Sequence, residues 1–368
     1  MLIGLALLLS SSLAVRAAAA SPPITWSLTF DDPSGTYQAY DDEIRYTFLA
    51  AAAEWSSHLV TTAPRTIDVG VRFITDVPRS SGHSVTSAFV STVNGVNIFE
   101  QGLVDKLETG QEPNGTTPDM YLDFNPTYLQ NELWFDPAPA SRTMPVPADK
   151  TDAYSVIIHE LTHAIVFNGW RDGQTGALPL NPPYESTFDR NETFDGANLY
   201  FTGPLAESLY GGPVPITYGN NWHVGNNPPR PGSNLLRDLM NGVVFYRGAR
   251  YDLSALDLAM ASDSGAPTNF VPGDLNADGN VGFDDLVTLS RAYGQTNATL
   301  AMGDFNGDGT VDFGDLVILA RHYGQNAPAP TAGMAAVEGM SVAATVPEPG
   351  SWVLVAAAGA LLLLRSRS

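Results

Sequence analysis

His159, Glu160 and His163 stand at a spacing that suits metal-assisted hydrolysis. On a helix, positions i and i+4 lie one turn apart on one face, so both imidazoles can reach a single ion. Glu160 sits beside them, placed to take a proton from a water at that ion. The three residues thus form an H-E-x-x-H signature for a zinc-dependent hydrolytic centre. A catalytic zinc takes three protein ligands plus water, so two histidines leave the set one short. The downstream candidates for the third are His223, Glu185, Glu192 and Glu207.

The surroundings must supply the helix. Asp152 is a plausible N-cap, and Val156-Ile157-Ile158, Leu161, Ala164, Ile165 and Phe167 give an apolar surface. Asn168-Gly169 then provides a stop signal. Upstream, Ile24–Phe30, Ile67–Phe73 and Asp119–Phe124 read as strands, and Asp41–Leu59 reads as a long helix packed on a sheet. Val96–Leu107 reads as a further short helix. The strand around Tyr121, or its neighbour, is expected to form an edge to which an extended substrate could add. Residues 171–232 are rich in Gly, Pro and Asn with little periodicity, a length that suggests function rather than filler. They end on Asn221-Trp222-His223. Leu239-Met240-Asn241 follows, then a final helix over Leu253–Met260 with Ser254 or Asp252 near its cap.

H-E-x-x-H, a distant histidine, a Leu-Met-Asn turn and the run Ser254-Ala255-Leu256-Asp257-Leu258-Ala259 together resemble the metzincin zinc metallopeptidases. The resemblance covers about residues 150–265. It is closest to leishmanolysin-like members, which carry a long insertion before the third ligand. It implies one catalytic zinc held by His159, His163 and His223, with Glu160 as general base and Met240 in the turn beneath the metal. One departure stands out: the family's extended motif has glycine where this chain has Val166. The alternative, of gluzincin type, takes its third ligand from Asn191-Glu192.

A second constellation repeats. Asp274, Asn276, Asp278, Asn280 and Asp285 recur as Asp304, Asn306, Asp308, Thr310 and Asp315. Each copy puts oxygens at loop positions 1, 3 and 5, glycine at 6 and a carboxylate at 12, as a calcium loop requires. A similar helix follows each loop. The pair resembles the type I dockerin repeat, which implies two structural calcium ions and a cohesin-like partner.

Composition bounds the rest. The formal charge is −21, from 39 acidic residues against 18 basic ones, which argues against a nucleic-acid partner. With no cysteine, disulfides, thiolate ligands and a cysteine nucleophile are excluded. Leu2–Leu9 and Ala18-Ala19-Ala20 read as an export signal. At the other end Pro347-Glu348-Pro349 precedes an apolar run, Trp352–Leu364, and Arg365-Ser366-Arg367. That run is short for a span of about 20 residues. The arrangement resembles the PEP-CTERM sorting signal of bacterial surface proteins, which implies transient membrane anchoring and an exosortase-type partner.

The expected organisation is a signal (1–20), an α+β metzincin-like zinc peptidase domain (21–268), a small all-α dockerin-like calcium module (269–326), a linker (327–345) and a sorting tail (346–368). The peptidase domain should hold a twisted sheet, the active-site helix and a C-terminal helical subdomain. The expected function is an exported, surface-sorted zinc endopeptidase acting on protein or peptide substrates. The alternative is a surface-displayed, calcium-dependent binding or matrix protein with a vestigial protease domain.

Overall fold

Alternation along β1 (Ile24–Asp31) buries Trp26 and Leu28 and leaves the residues between them exposed or partly so. The structure, a computed structural model, describes residues 23–326 apart from 226–234, 244, 277–278, 297 and 308. The expected export signal, linker and sorting tail lie outside the described residues.

β1 runs parallel to β2 (Arg65–Phe73), and α1 (Asp41–His58) makes the crossover that parallel strands need. The helix buries Ile44, Phe48, Ala51, Ala52 and Trp55. Trp55 Nε1–H donates to Thr162 Oγ1 at 3.0 Å, tying α1 to the metal-motif helix. The chain continues through β3 (Ser80–Ser84), β4 (Ser87–Val93), β5 (Val96–Gln101), α2 (Gly102–Thr109) and β6 (Met120–Phe124). The main sheet has the order β1-β2-β6-β3, with β3 antiparallel at the edge. The Tyr121 strand is therefore interior, and its neighbour is the edge.

Val96–Leu107 is not one helix. Its first half is β5, paired with β4 through Asn94 and Gly95, whose φ values of 52° and 82° make the positive-φ turn that Asn-Gly favours. Only from Gly102 does the chain turn helical, ending on Gly110 at φ 76°.

After α3 (Pro126–Asn131), the paired strands β7 (Leu133–Trp134) and β8 (Thr151–Asp152) lead into α4 (Ala153–Ile165), the helix of the metal motif. Asp152 caps α4, accepting from Ser155 N–H at 3.2 Å. The helix stops at Val166, with φ −153° and ψ −28°. That φ is open to any residue, so no glycine is needed at this position.

Residues 171–225 are more ordered than their composition suggests. They hold β9 (Tyr184–Ser186), β10 (Glu192–Phe194), β11 (Leu199–Phe201), α5 (Pro204–Tyr210) and β12 (Val214–Pro215). β9 extends the β4-β5 hairpin, and β10-β11-β12 form a small sheet of their own. Asp189 organises this insert. Its buried carboxylate accepts from the backbone N–H groups of Trp170, Arg171 and Ser186 at 2.7, 3.3 and 3.0 Å. The final helix α6 (Ala255–Asp263) starts with a capping box between Ser254 and Asp257.

The calcium-loop repeat folds as α7 (Phe283–Ala292) and α8 (Phe313–His322). Each loop's exit pairs with the end of the opposite helix: Val281 with Gly324 and Gln325, Val311 with Gly294 and Gln295. The repeat is thus a reciprocal pair. The fold is mixed α+β with a small helical module near its C-terminal end. Among the described residues no helix is long and apolar enough to cross a membrane.

Candidate metal centres

The helix α4 presents His159 and His163 one turn apart, and the chain returns at His223 to meet them. The three Nε2 atoms lie 3.0–3.2 Å from one another. Each imidazole is fixed by its other nitrogen. His159 Nδ1 contacts the Leu239 carbonyl at 2.8 Å, His163 Nδ1 that of Phe167 at 2.7 Å, and His223 Nδ1 that of Asn221 at 2.9 Å. A carbonyl only accepts, so each Nδ1 carries the proton and each Nε2 presents a lone pair. Three lone pairs converging without a proton between them are repulsive unless a cation joins them. Bonds of about 2.1 Å to a tetrahedral ion would set them ~3.4 Å apart, close to the observed spacing.

Charge state agrees with this geometry. Burial, with His223 adding to it, pushes His159 down to about 3, and burial pushes His223 down to about 4. His163 falls well below the usual imidazole range from burial and from both neighbours. All three are neutral at pH 7, as ligation requires.

The Met240 turn carries two of these rings. Leu239 supplies the carbonyl under His159, and Val224 N–H donates to Met240 O at 2.8 Å just beyond His223. Met240 itself is fully buried. The turn is held from below: Asp238 accepts from Met240 N–H at 2.9 Å and from Ser254 Oγ–H at 2.8 Å. Asp257 lies against Asp238, and burial together with that neighbour raises its carboxyl well above the usual range. A shared proton lets the two carboxyls lie together.

Trp222, immediately before His223, sits in the left-handed region at φ 61°. Its Nε1–H reaches Asp189 Oδ1 at 3.4 Å, so the hub of the insert also steadies the approach of the third imidazole. The glutamate candidates go elsewhere. Glu185 pairs with Arg171 and Arg190 at 3.1 and 3.3 Å, and Glu192 pairs with Arg171 at 3.3 Å. Glu207 lies in α5 and is not part of the histidine cluster.

Glu160 opens beside the imidazoles in a cleft of about 1210 Å³ that extends from Arg72 and Asp76 to Trp222 and Asn241. Burial pushes its carboxyl up to about 7, opposed by hydrogen bonds from Ser80 and from the Gly82 backbone. Ser80, Gly82 and Phe245 are contacts that the sequence did not disclose. Phe245 packs edge-on against His159 with ring centres 5.1 Å apart. The stretch Ser80-Ser81-Gly82-His83-Ser84 has no apolar alternation to mark it as a strand.

In the repeat, Asp285 accepts from Leu275 N–H at 2.8 Å and Gly282 N–H at 2.6 Å, and Asp274 from Gly279 N–H at 2.7 Å. Asp315 does the same with Phe305 and Asp312, both at 2.8 Å, and Asp304 with Gly309 at 2.8 Å. These carboxylates at positions 1 and 12 are thus oriented by backbone before any ion arrives. Asn276, Asn280, Asn306 and Thr310 lie in the same loops, while Asp278 and Asp308 fall outside the described residues.

Comparison with known proteins bears out the calcium repeat and extends no further. No curated protein matches the chain, and no solved structure does. Residues 272–323 match the Dockerin type I domain family, a calcium-binding module.

Proposed function

We propose that residues 21–268 form a metzincin-like, zinc-dependent endopeptidase domain, carried on an exported chain with a dockerin module behind it. The observation that carries this reading is the convergence of three Nε2 lone pairs within 3.0–3.2 Å, each imidazole locked by a backbone carbonyl. The donor set is all nitrogen with a carboxylate alongside, which suits zinc. Zinc, when bound, would polarise a scissile carbonyl and acidify a water.

The chain's own groups supply the rest. The cleft has room for several residues of an extended peptide beside β3. Glu160, held up to about 7 by burial, takes a proton from the attacking water at neutral pH. It returns that proton to the leaving amine as the water oxygen bonds to carbon and the C–N bond breaks. His159, His163 and His223 stay neutral throughout and act as ligands.

The test is Glu160→Ala. Hydrolysis of casein by wild type should be lost on chelation and restored by zinc. The variant should lose it by at least about 10³-fold while still holding one zinc per chain, since Glu160 is a base and not a ligand. Activity near wild type, or loss of the zinc, would overturn the assignment.

A second reading, calcium-dependent binding at a surface, has the dockerin match in its favour. The two readings combine if the module attaches the peptidase domain to a cohesin-like partner. Export by the N-terminal signal and sorting by the PEP-CTERM-like tail, with an exosortase-type enzyme, complete the proposal.

A further inference from the structure

The edge strand β3 touches the metal-motif helix at the one residue proposed to move a proton. Ser80 Oγ–H donates to Glu160 Oε1 at 2.6 Å, across 80 residues of sequence. Two residues along, Gly82 comes so close that a Cβ there would stand 2.0 Å from the Glu160 backbone oxygen. Strand and helix thus meet backbone to backbone at Glu160. The backbone of Gly82 gives the same carboxylate a second hydrogen bond.

β3 is placed independently of these contacts. Its pairing with β6, Ser80 opposite Phe124 and Gly82 opposite Leu122, is made by backbone groups. The Ser80 hydroxyl is therefore not needed to hold the strand. It lines the cleft, and its bond to Glu160 is charge-assisted and short.

We infer that Ser80 is the positioning residue of the proposed hydrolysis: its hydroxyl fixes the Glu160 carboxylate in the plane from which it meets the attacking water. A carboxylate turns easily about its last torsion, which is broad and roughly two-fold. Two donors from one strand remove that freedom before substrate arrives. Because the strand lies along the cleft, the base is oriented relative to the surface on which the peptide rests. The inference depends on the peptidase reading.

The experiment compares wild type with Ser80→Ala and Ser80→Thr in the full chain loaded with zinc. Losing one charge-assisted hydrogen bond should lower kcat by about 10–100-fold in Ser80→Ala. KM should stay within about twofold, because Ser80 holds the base rather than the substrate. Ser80→Thr keeps the hydroxyl and should restore most of the rate.

Two readouts are independent of turnover. Zinc content and the far-ultraviolet dichroism of Ser80→Ala should equal those of wild type, with only the small drop in thermal midpoint that loss of one hydrogen bond brings. A short peptide hydroxamate, whose acidic group needs an oriented carboxylate beside the metal, should bind Ser80→Ala more weakly by calorimetry. Wild-type kcat and hydroxamate affinity in Ser80→Ala would overturn the role of Ser80 and leave the peptidase reading intact. Loss of zinc or fold in Ser80→Ala, without rescue by threonine, would make Ser80 structural and also overturn it. A wild-type chain with no chelator-sensitive hydrolysis would remove both readings together.

Discussion

At the scale of single residues, the burial of three neighbouring imidazoles costs the protein stability at low pH. His159 and His223 are held down to about 3 and 4, against 6.5 in an unfolded chain. A depressed value means the unfolded state binds protons that the folded state refuses. The chelated protein should therefore lose stability as pH falls below about 6.5, progressively toward about 4, and regain it as pH rises. Zinc should shift that loss to lower pH, because the ion binds only the folded, neutral ring set. Urea midpoints between pH 4 and 8, with and without zinc, measure both. A flat profile in the chelated protein would mean that the rings are not buried together. The identity of His159, Glu160 and His163 as a set was legible because i and i+4 spacing is a local property of a helix. His223 was legible by ligand counting and from its place before the Leu239-Met240-Asn241 turn, since nothing in the sequence between 163 and 223 says that the chain returns. Val166 looked like a misfit for the family pattern. The helix ends there with φ −153°, a negative φ rather than the left-handed conformation that would call for glycine.

Between elements, the decisive approach is that of β3 to α4. Gly82→Ala would drive a methyl into the Glu160 carbonyl at 2.0 Å, where the obstacle is backbone and cannot swing aside. The substitution should cost about 3 kcal/mol or more of unfolding free energy, at the upper end for overpacking. It should also separate Ser80 from Glu160. A chemical denaturation curve that matches wild type would show that the two elements are not in contact. None of this could be read from the sequence. Strands that alternate apolar and polar residues announced themselves, as with Trp26 and Leu28 in β1 or Ile67 and Val69 in β2. β3 buries Gly82 and Ser84, which carry no hydrophobic signal, and its register is set by β6 rather than by itself. Val96–Leu107 departs from the expected helix for a different reason: the apolar spacing there suits either state, and Asn94-Gly95 is the local signal that favours a hairpin.

Across the whole molecule, the calcium module shares one continuous buried cluster with the larger domain. Its second loop brings Gly309 alongside Arg237, in the turn that leads to Met240. Asp315 is completely buried and orients three backbone N–H groups as well as facing the loop. Asp315→Asn should reduce bound calcium from two ions to one per chain, measured by equilibrium dialysis, with loss of helical signal from α8. Two ions retained would sink the role of that loop. The module was the most legible part of the chain, because a repeated loop declares its own spacing. The proposed hydrolytic centre is the opposite case. Its parts come from positions 80, 82, 159, 160, 163, 223 and 239, so most of its contacts are far apart along the chain. Such contacts form late, after the loops between them have closed. During synthesis the H-E-x-x-H helix is complete long before His223 and Leu239 exist. The growing chain therefore carries the motif while still lacking the third imidazole, and the cluster is assembled only once His223 has arrived.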